Sequence, residues 1–178
     1  MTPDEAYALA FPIIWRLENG GDAISVVDNP SDPGQLTIGG VALGEYPGMS
    51  ESQLRAMTYA DFFAFYRANY WTPNGCDALP WPVSLVTFDG CVNQGTQGAM
   101  ALQAALGVAA DGSIGPITIA AANKADPIAL CANTMQIREA AYRAQHDFAT
   151  FGTGWIRRLF TVAFSAAAIS PDNPAPIV

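Results

Sequence analysis

Basic residues are scarce in this 178-residue chain: eight Lys and Arg stand against sixteen Asp and Glu, giving a net charge of −8 and a pI near 4.3. Phosphate contacts need clustered cations, so nucleic acid is excluded as a partner. His146 is the single histidine, and Cys76, Cys91 and Cys131 are scattered with no Cys-x-x-Cys pair. Most zinc spacings are thereby ruled out, and no metal or cofactor is expected. Cys91 falls on an apolar helix with no activating neighbour, so an inert thiol is expected and a Cys-His peptidase or amidase is disfavoured. His146, among Gln145, Asp147 and Phe148, reads as a surface residue. Long apolar runs are missing as well. The longest, around Leu159 to Ile169, is too short and interrupted to span a bilayer. The N-terminus has no basic segment leading into an apolar core and a small-residue cleavage site. The expectation is therefore a chain made in the cytoplasm without a signal peptide, with no stable membrane insertion, and a monomer. Charged residues make up only 13% against 51% hydrophobic, enough for a core in one compact domain or one with a small lobe.

What is present is mostly helix. Thr2-Pro3-Asp4-Glu5 is a capping box that opens a helix running to about Glu18, with Pro12 predicting a kink near Ala8 and Gly20-Gly21 ending it. Ile24, Val26 and Val27, then Leu36, Thr37 and Ile38, predict short strands around a long turn, the only sheet in the chain. Further boxes at Ser50-Glu51-Ser52-Gln53 and Thr58-Tyr59-Ala60-Asp61 predict helices through Met57 and Tyr70. An apolar helix from Val83 to about Asn93 carries hydrophobic residues nearly all round and is expected at the centre. Helices at Thr96–Leu106, 116–124, 127–150 and 155–168 follow, Gly152-Thr153-Gly154 separating the last two, before a loose tail from Ser170. The fold class is mainly α with a small β-hairpin, that is, α+β.

Chemistry concentrates near the first helix end. Tyr7, Phe11, Ile14 and Glu18 share one helical stripe, so Glu18 should be desolvated and its pKa raised, as a general acid requires. Asp32 lies among polar and turn-forming residues and should stay ionised, with Thr37 following. Two carboxyl groups in unlike environments suit glycosidic bond cleavage. The same residues also read as a helix-terminal Glu and an Asp-Pro-Gly turn. Asp28 is an alternative to Asp32. Asp89 and Asn93, one turn apart on an apolar helix, need hydrogen-bond partners, or Asn93 lines a sugar cleft. Tyr70 and Trp71 stack on a sugar or pack in the core.

Larger motifs extend this reading: Glu18-Asn19-Gly20-Gly21, Asp32-Pro33-Gly34-Gln35-Leu36-Thr37, Tyr66 through Tyr70-Trp71, and Leu79-Pro80. Phe88-Asp89-Gly90-Cys91-Val92-Asn93-Gln94-Gly95 follows, then Leu102-Gln103-x-x-Leu106-Gly107, Asp111-Gly112-x-Ile114-Gly115-Pro116-x-Thr118 and Gly154-Trp155-x-x-Arg158. In this order the chain resembles glycoside hydrolase family 108, the N-acetylmuramidases of phage endolysins and bacterial wall hydrolases, with their peptidoglycan-binding region. The resemblance implies a lysozyme-like fold and hydrolysis of the β-1,4 bond between N-acetylmuramic acid and N-acetylglucosamine. It implies Glu18 as general acid and Asp32 with Thr37 on the water, for which Asp28 is the alternative to Asp32; the candidate substrate contacts are Asn93, Tyr70, Trp71 and Gln103. It divides the chain into a catalytic lobe, 1–95, a peptidoglycan-binding-like region, 96–169, packed on it as one globular unit, and the tail, 170–178. Peptidoglycan glycan strands are the implied partner, reached in the periplasm with a separate membrane-permeabilising holin. A lytic transglycosylase on the same bond and a non-catalytic wall-binding module are the alternatives. The chain departs from the family motif at an inserted Asn19, at Asp22 where an aromatic residue is usual, and at Gln35 in place of the second glycine.

Overall fold

The capping box at the N-terminus forms as the sequence predicts: the Thr2 amide donates to Glu5 Oε2 at 2.7 Å and the Glu5 amide to Thr2 Oγ1 at 3.2 Å. It starts helix α1, Pro3–Asn19, which continues through Pro12. The computed structural model describes residues 1–28 and 36–169. Contacts within the chain group it into two compact units, Phe11–Arg67 and the rest, so that the boundary cuts α1 beside Pro12.

In the smaller unit, the second half of α1 is joined by strands β1 (Val26–Asp28), β2 (Leu36–Ile38) and β3 (Val41–Ala42) and helices α2 (Glu51–Ala56) and α3 (Tyr59–Tyr66). The sheet is antiparallel in the order β1-β2-β3, so the expected hairpin gains a third strand. Val27 faces Thr37 and Asp28 faces Leu36; Thr37 also faces Ala42. Gly39 and Gly40 form the two-residue turn between β2 and β3 with φ of +60° and +76°, the double positive φ that a tight hairpin with the right twist requires. Phe11, Ile14, Trp15, Leu36, Ile38, Val41, Leu54, Phe62 and Tyr66 are buried here. Phe11 meets Tyr59, Phe63 and Tyr66 edge-on, the aromatic geometry favoured by ring quadrupoles. Both predicted capping boxes, Ser50 with Gln53 and Thr58 with Asp61, close. The helix expected to run to Tyr70 instead leaves α geometry after Tyr66 and becomes a π-helical turn, Arg67–Trp71.

The larger unit holds the first ten residues of the chain together with helices α4 (Val83–Gln94), α5 (Thr96–Leu106), α6 (Pro116–Ala122), α7 (Pro127–Arg143) and α8 (Phe148–Ala168). Residues Val83 through Cys91 of α4 are all buried, the central placement that its all-round hydrophobicity predicts. It packs on α5, α7 and α8.

The last two helices differ from expectation. α7 stops at Arg143, and α8 starts at Phe148 and runs through Gly152-Thr153-Gly154. Gly152 is a packing residue: a Cβ there would lie 2.7 Å from the Phe148 ring. The break sits at 144–147, where the Gln145 amide bonds Tyr142 O and the Phe148 amide bonds Gln145 O. The predicted tail from Ser170 lies outside the described residues.

Beneath these helices is a charged core. Asp89 Oδ2 accepts from Arg138 Nη2 at 2.7 Å and Asp89 Oδ1 from Arg158 Nε at 2.8 Å, with all three side chains buried. Arg138 also donates to Gln94 Oε1 at 2.6 Å.

Candidate active site

Glu18 lies in the last turn of α1. The stripe below it is buried throughout, with Tyr7, Phe11 and Ile14 fully covered. Glu18 itself is half-buried, its Oε1 atom shielded from solvent, so the desolvation expected of it reaches one carboxylate oxygen rather than the whole side chain. Its stem rests against the β2–β3 turn. A Cβ built on Gly40 would stand 3.1 Å from Glu18 Cβ, 3.5 Å from Glu18 Cγ and 2.4 Å from the Tyr66 hydroxyl. Only a residue with no side chain fits between them. Tyr66 Oη donates to Gly39 O at 3.0 Å in a buried bond. Tyr66 was visible as a motif residue, but no local pattern tied it or the Gly39-Gly40 turn to Glu18.

Of the proposed water-handling residues, Thr37 is half-buried at the centre of β2, between buried Leu36 and Ile38. Side chains opposite one another in a ladder share a face, and successive ones alternate. Thr37 therefore shares its face with Val27 and Ala42, while Asp28 projects from the other face, with Leu36. Asp28 is 57% exposed and is paired to Arg55 Nη2 at 3.1 Å. Arg55 is held above its ordinary pKa first by Glu51 and then by Asp28. Asp28 and Thr37 are thus not brought to one face. Asp32 and Gln35 lie outside the described residues.

The departures from the family motif have visible work. Asn19 Nδ2 donates to Trp15 O at 2.9 Å, and its Oδ1 accepts from the Ser25 amide at 3.0 Å and the Ser25 hydroxyl at 2.8 Å. Asp22 pairs with Arg16 at 2.6 Å, and its carbonyl accepts from Trp15 Nε1 at 3.0 Å. The inserted asparagine thus fastens the loop between Glu18 and β1 back onto α1.

The proposed sugar contacts belong to the larger unit. Tyr70 remains half-exposed. Trp71 is 0% exposed, with its ring against Tyr7 and Phe88 at 5.1 and 5.4 Å and its Nε1 donating to Asp77 Oδ1; it takes the core role of the two foreseen. Asn93 is exposed and its Oδ1 accepts from the Tyr142 hydroxyl, while Asp89 serves the buried arginines. Gln103 is 1% exposed, which corrects the expectation of a substrate contact. Its Nε2 donates to Asp111 Oδ1 at 2.7 Å and Ser113 O at 3.0 Å, and its Oε1 accepts from the Gly112 amide at 2.8 Å. Its amide is committed to the 111–113 turn.

The three cysteines are free and buried, and burial pushes the thiols of Cys91 and Cys131 up to about 12. Such thiols do not supply a thiolate nucleophile at neutral pH. Among the described residues no group of three or more His, Cys, Asp and Glu side chains is placed to hold a metal ion, and no helix is long and apolar enough to cross a membrane.

Comparison with known proteins gives two family matches. Residues 13–95 match the model of glycosyl hydrolase 108, and residues 97–160 match that of a predicted peptidoglycan domain. Among solved structures, SagA of Brucella abortus is similar at 31% identity with a TM-score of 0.80, over 95% of this chain and 98% of that one. No curated protein matches the chain.

Proposed function

The chain belongs to the glycosyl hydrolase 108 family, has its lysozyme-like α+β fold and is a peptidoglycan glycosidase, and on that premise we propose that it is an N-acetylmuramidase with Glu18 as its acid. The bond cleaved is the β-1,4 link between N-acetylmuramic acid and N-acetylglucosamine. Glu18 protonates the bridging oxygen as positive charge builds on the muramic acid ring. Asp32, with Thr37, holds or deprotonates water on the opposite face, a division of labour that leads to inversion. The observation that carries this reading is the setting of Glu18: its Oε1 is shielded at the end of a buried stripe and its stem is packed against the turn that follows Thr37. Asp28 projects from the face opposite Thr37, which speaks against it as the carboxylate that works with Thr37, and Asp32 is the one proposed.

Residues 96–169 are proposed to serve peptidoglycan binding, supported by the match over 97–160. Tyr70 and Asn93, which keep exposed surface, are the proposed glycan contacts. The biological setting we propose is that of an endolysin, with a separate holin giving access to the wall from the cytoplasmic side. Purified sacculi digested with the protein test the chemistry: a reducing muramic acid end is expected, and a 1,6-anhydro end in its place would make the enzyme a lytic transglycosylase. Glu18→Gln should keep its fold by circular dichroism and lose nearly all lysis, and a variant lysing walls at the wild-type rate would refute the assignment.

A further inference from the structure

Tyr66 makes no contact with a sugar in the reading above, yet it stands where the acid and the strand carrying Thr37 come together. Its hydroxyl is buried and donates to Gly39 O at 3.0 Å. Gly39 and Gly40 are the whole of the β2–β3 turn, and Thr37 is two positions before it on β2. On the other side of the turn, the Gly40 backbone lies against both the Tyr66 hydroxyl and the Glu18 stem, with no room for one added carbon. The Phe62 ring closes the remaining side, since a Cβ on Gly39 would fall 2.6 Å from it. The turn is therefore held between α1 and α3, and the Tyr66 hydroxyl supplies a polar tether at this clamp. Two glycines in succession make a permissive backbone, which such a tether restrains.

We propose that Tyr66 is a positioning residue for the hydrolysis, its hydroxyl holding the Gly39-Gly40 turn so that Glu18 and Thr37 keep a fixed separation. The inference rests on the assignment of Glu18 as acid. In catalysis by two groups on opposite sides of one bond, rate depends on their mutual placement, and a shift of about 1 Å can cost on the order of 10²-fold. Binding of the glycan as a whole does not depend on that separation. Loss of the hydroxyl should therefore appear in kcat rather than in KM.

The test uses the full chain with soluble peptidoglycan glycan fragments, measuring kcat and KM for Tyr66→Phe, Glu18→Gln and Leu54→Ala below the lowest melting temperature of the set. Leu54 is the buried residue of α2 in the same unit and is not among the nearest neighbours of either turn glycine, which are Phe62, Tyr66 and Glu18, so its truncation reports simple destabilisation. The expected result is a kcat about 10- to 100-fold lower for Tyr66→Phe at unchanged KM, with Leu54→Ala keeping wild-type kcat despite a lower melting temperature. Tyr66→Leu, which lacks the hydroxyl but retains apolar bulk, should lose kcat in the same way and substitutes if Tyr66→Phe does not fold. Wild-type kcat in a folded Tyr66 variant, beside an inactive Glu18→Gln, overturns the positioning role alone. A kcat loss in Leu54→Ala equal to that of Tyr66→Phe also overturns it, because the effect is then general loosening. An active Glu18→Gln removes the acid assignment and the positioning role with it.

Discussion

At the scale of single residues, the pair Asp28 and Asp32 gives the sharpest contrast. Asp28→Asn removes an exposed pairing with Arg55, and exposed pairs of this kind contribute at most about 1 kcal/mol. Its lysis rate should stay within a few-fold of wild type. Asp32→Asn should lower the rate by about 10²–10⁴, the range for losing a general base. Parallel turbidity assays on permeabilised cells separate the two, and a dead Asp28→Asn beside an active Asp32→Asn would exchange their roles. The buried stripe that ends at Glu18 was legible in the sequence because it is a local pattern: Tyr7, Phe11 and Ile14 announce the face at intervals of three or four. The bond from Tyr66 to Gly39 was not, since it joins residues 27 apart in the chain. Gln103 was misread for a related reason. A glutamine inside a family motif looks like a ligand contact until the turn that consumes its amide is seen.

Helix starts follow the same rule at the scale of elements. Thr2, Ser50 and Thr58 each close a box within four residues, so their positions could be read directly, as could the burial of α4 from its composition. The joint between α7 and α8 was misplaced because a glycine signals a stop only where its backbone is used. Gly152 is kept for its missing side chain, against Phe148 four residues earlier. That Asp89 needs partners could be read from its apolar helix, but not that they are Arg138 and Arg158, 49 and 69 residues further on. The cluster ties α4 to both α7 and α8. Replacing its one carboxylate removes the countercharge that two buried guanidinium groups share, and breaking a buried pair from one side typically costs about 3–5 kcal/mol. Asp89→Asn, equal in size to the native side chain, should show this loss in the urea-unfolding free energy. A change below 1 kcal/mol would mean the arginines find other partners.

For the whole molecule, charge governs two measurable responses. At −8 the protein meets an anionic wall as a like charge, and screening that repulsion should help. Lysis of purified sacculi is expected to accelerate as salt rises from about 0.01 to 0.15 M, where the Debye length shrinks from about 30 to 8 Å. A monotonic decline would point instead to attraction by a local cationic surface. The second response is to acid. Glu5 is held below 4.5 by its bonds to Thr2, Asp61 below 3.8 by Thr58, and Asp111 below 3.8 by the Ser113 amide and Gln103. A carboxylate whose folded pKa is depressed stabilises the fold fully above its unfolded value and loses that contribution as pH falls through the folded one. The melting temperature should therefore be level with respect to these groups above about pH 5 and fall below pH 4. Thr58→Ala should flatten the part of that fall due to Asp61, as seen by thermal melts between pH 3 and 6.

The first residues of α1 pack in the larger unit and the rest of the helix in the smaller one, and this sets an order on synthesis. Tyr7 emerges from the ribosome early, but the rings that cover it, Trp71 and Phe88, arrive only after the entire smaller unit has been made. During translation the smaller body can close first while the opening segment of the chain waits for its partners. A fragment begun at residue 13, where the family match starts, would discard that waiting segment and leave a ring-sized gap beside Trp71 and Phe88.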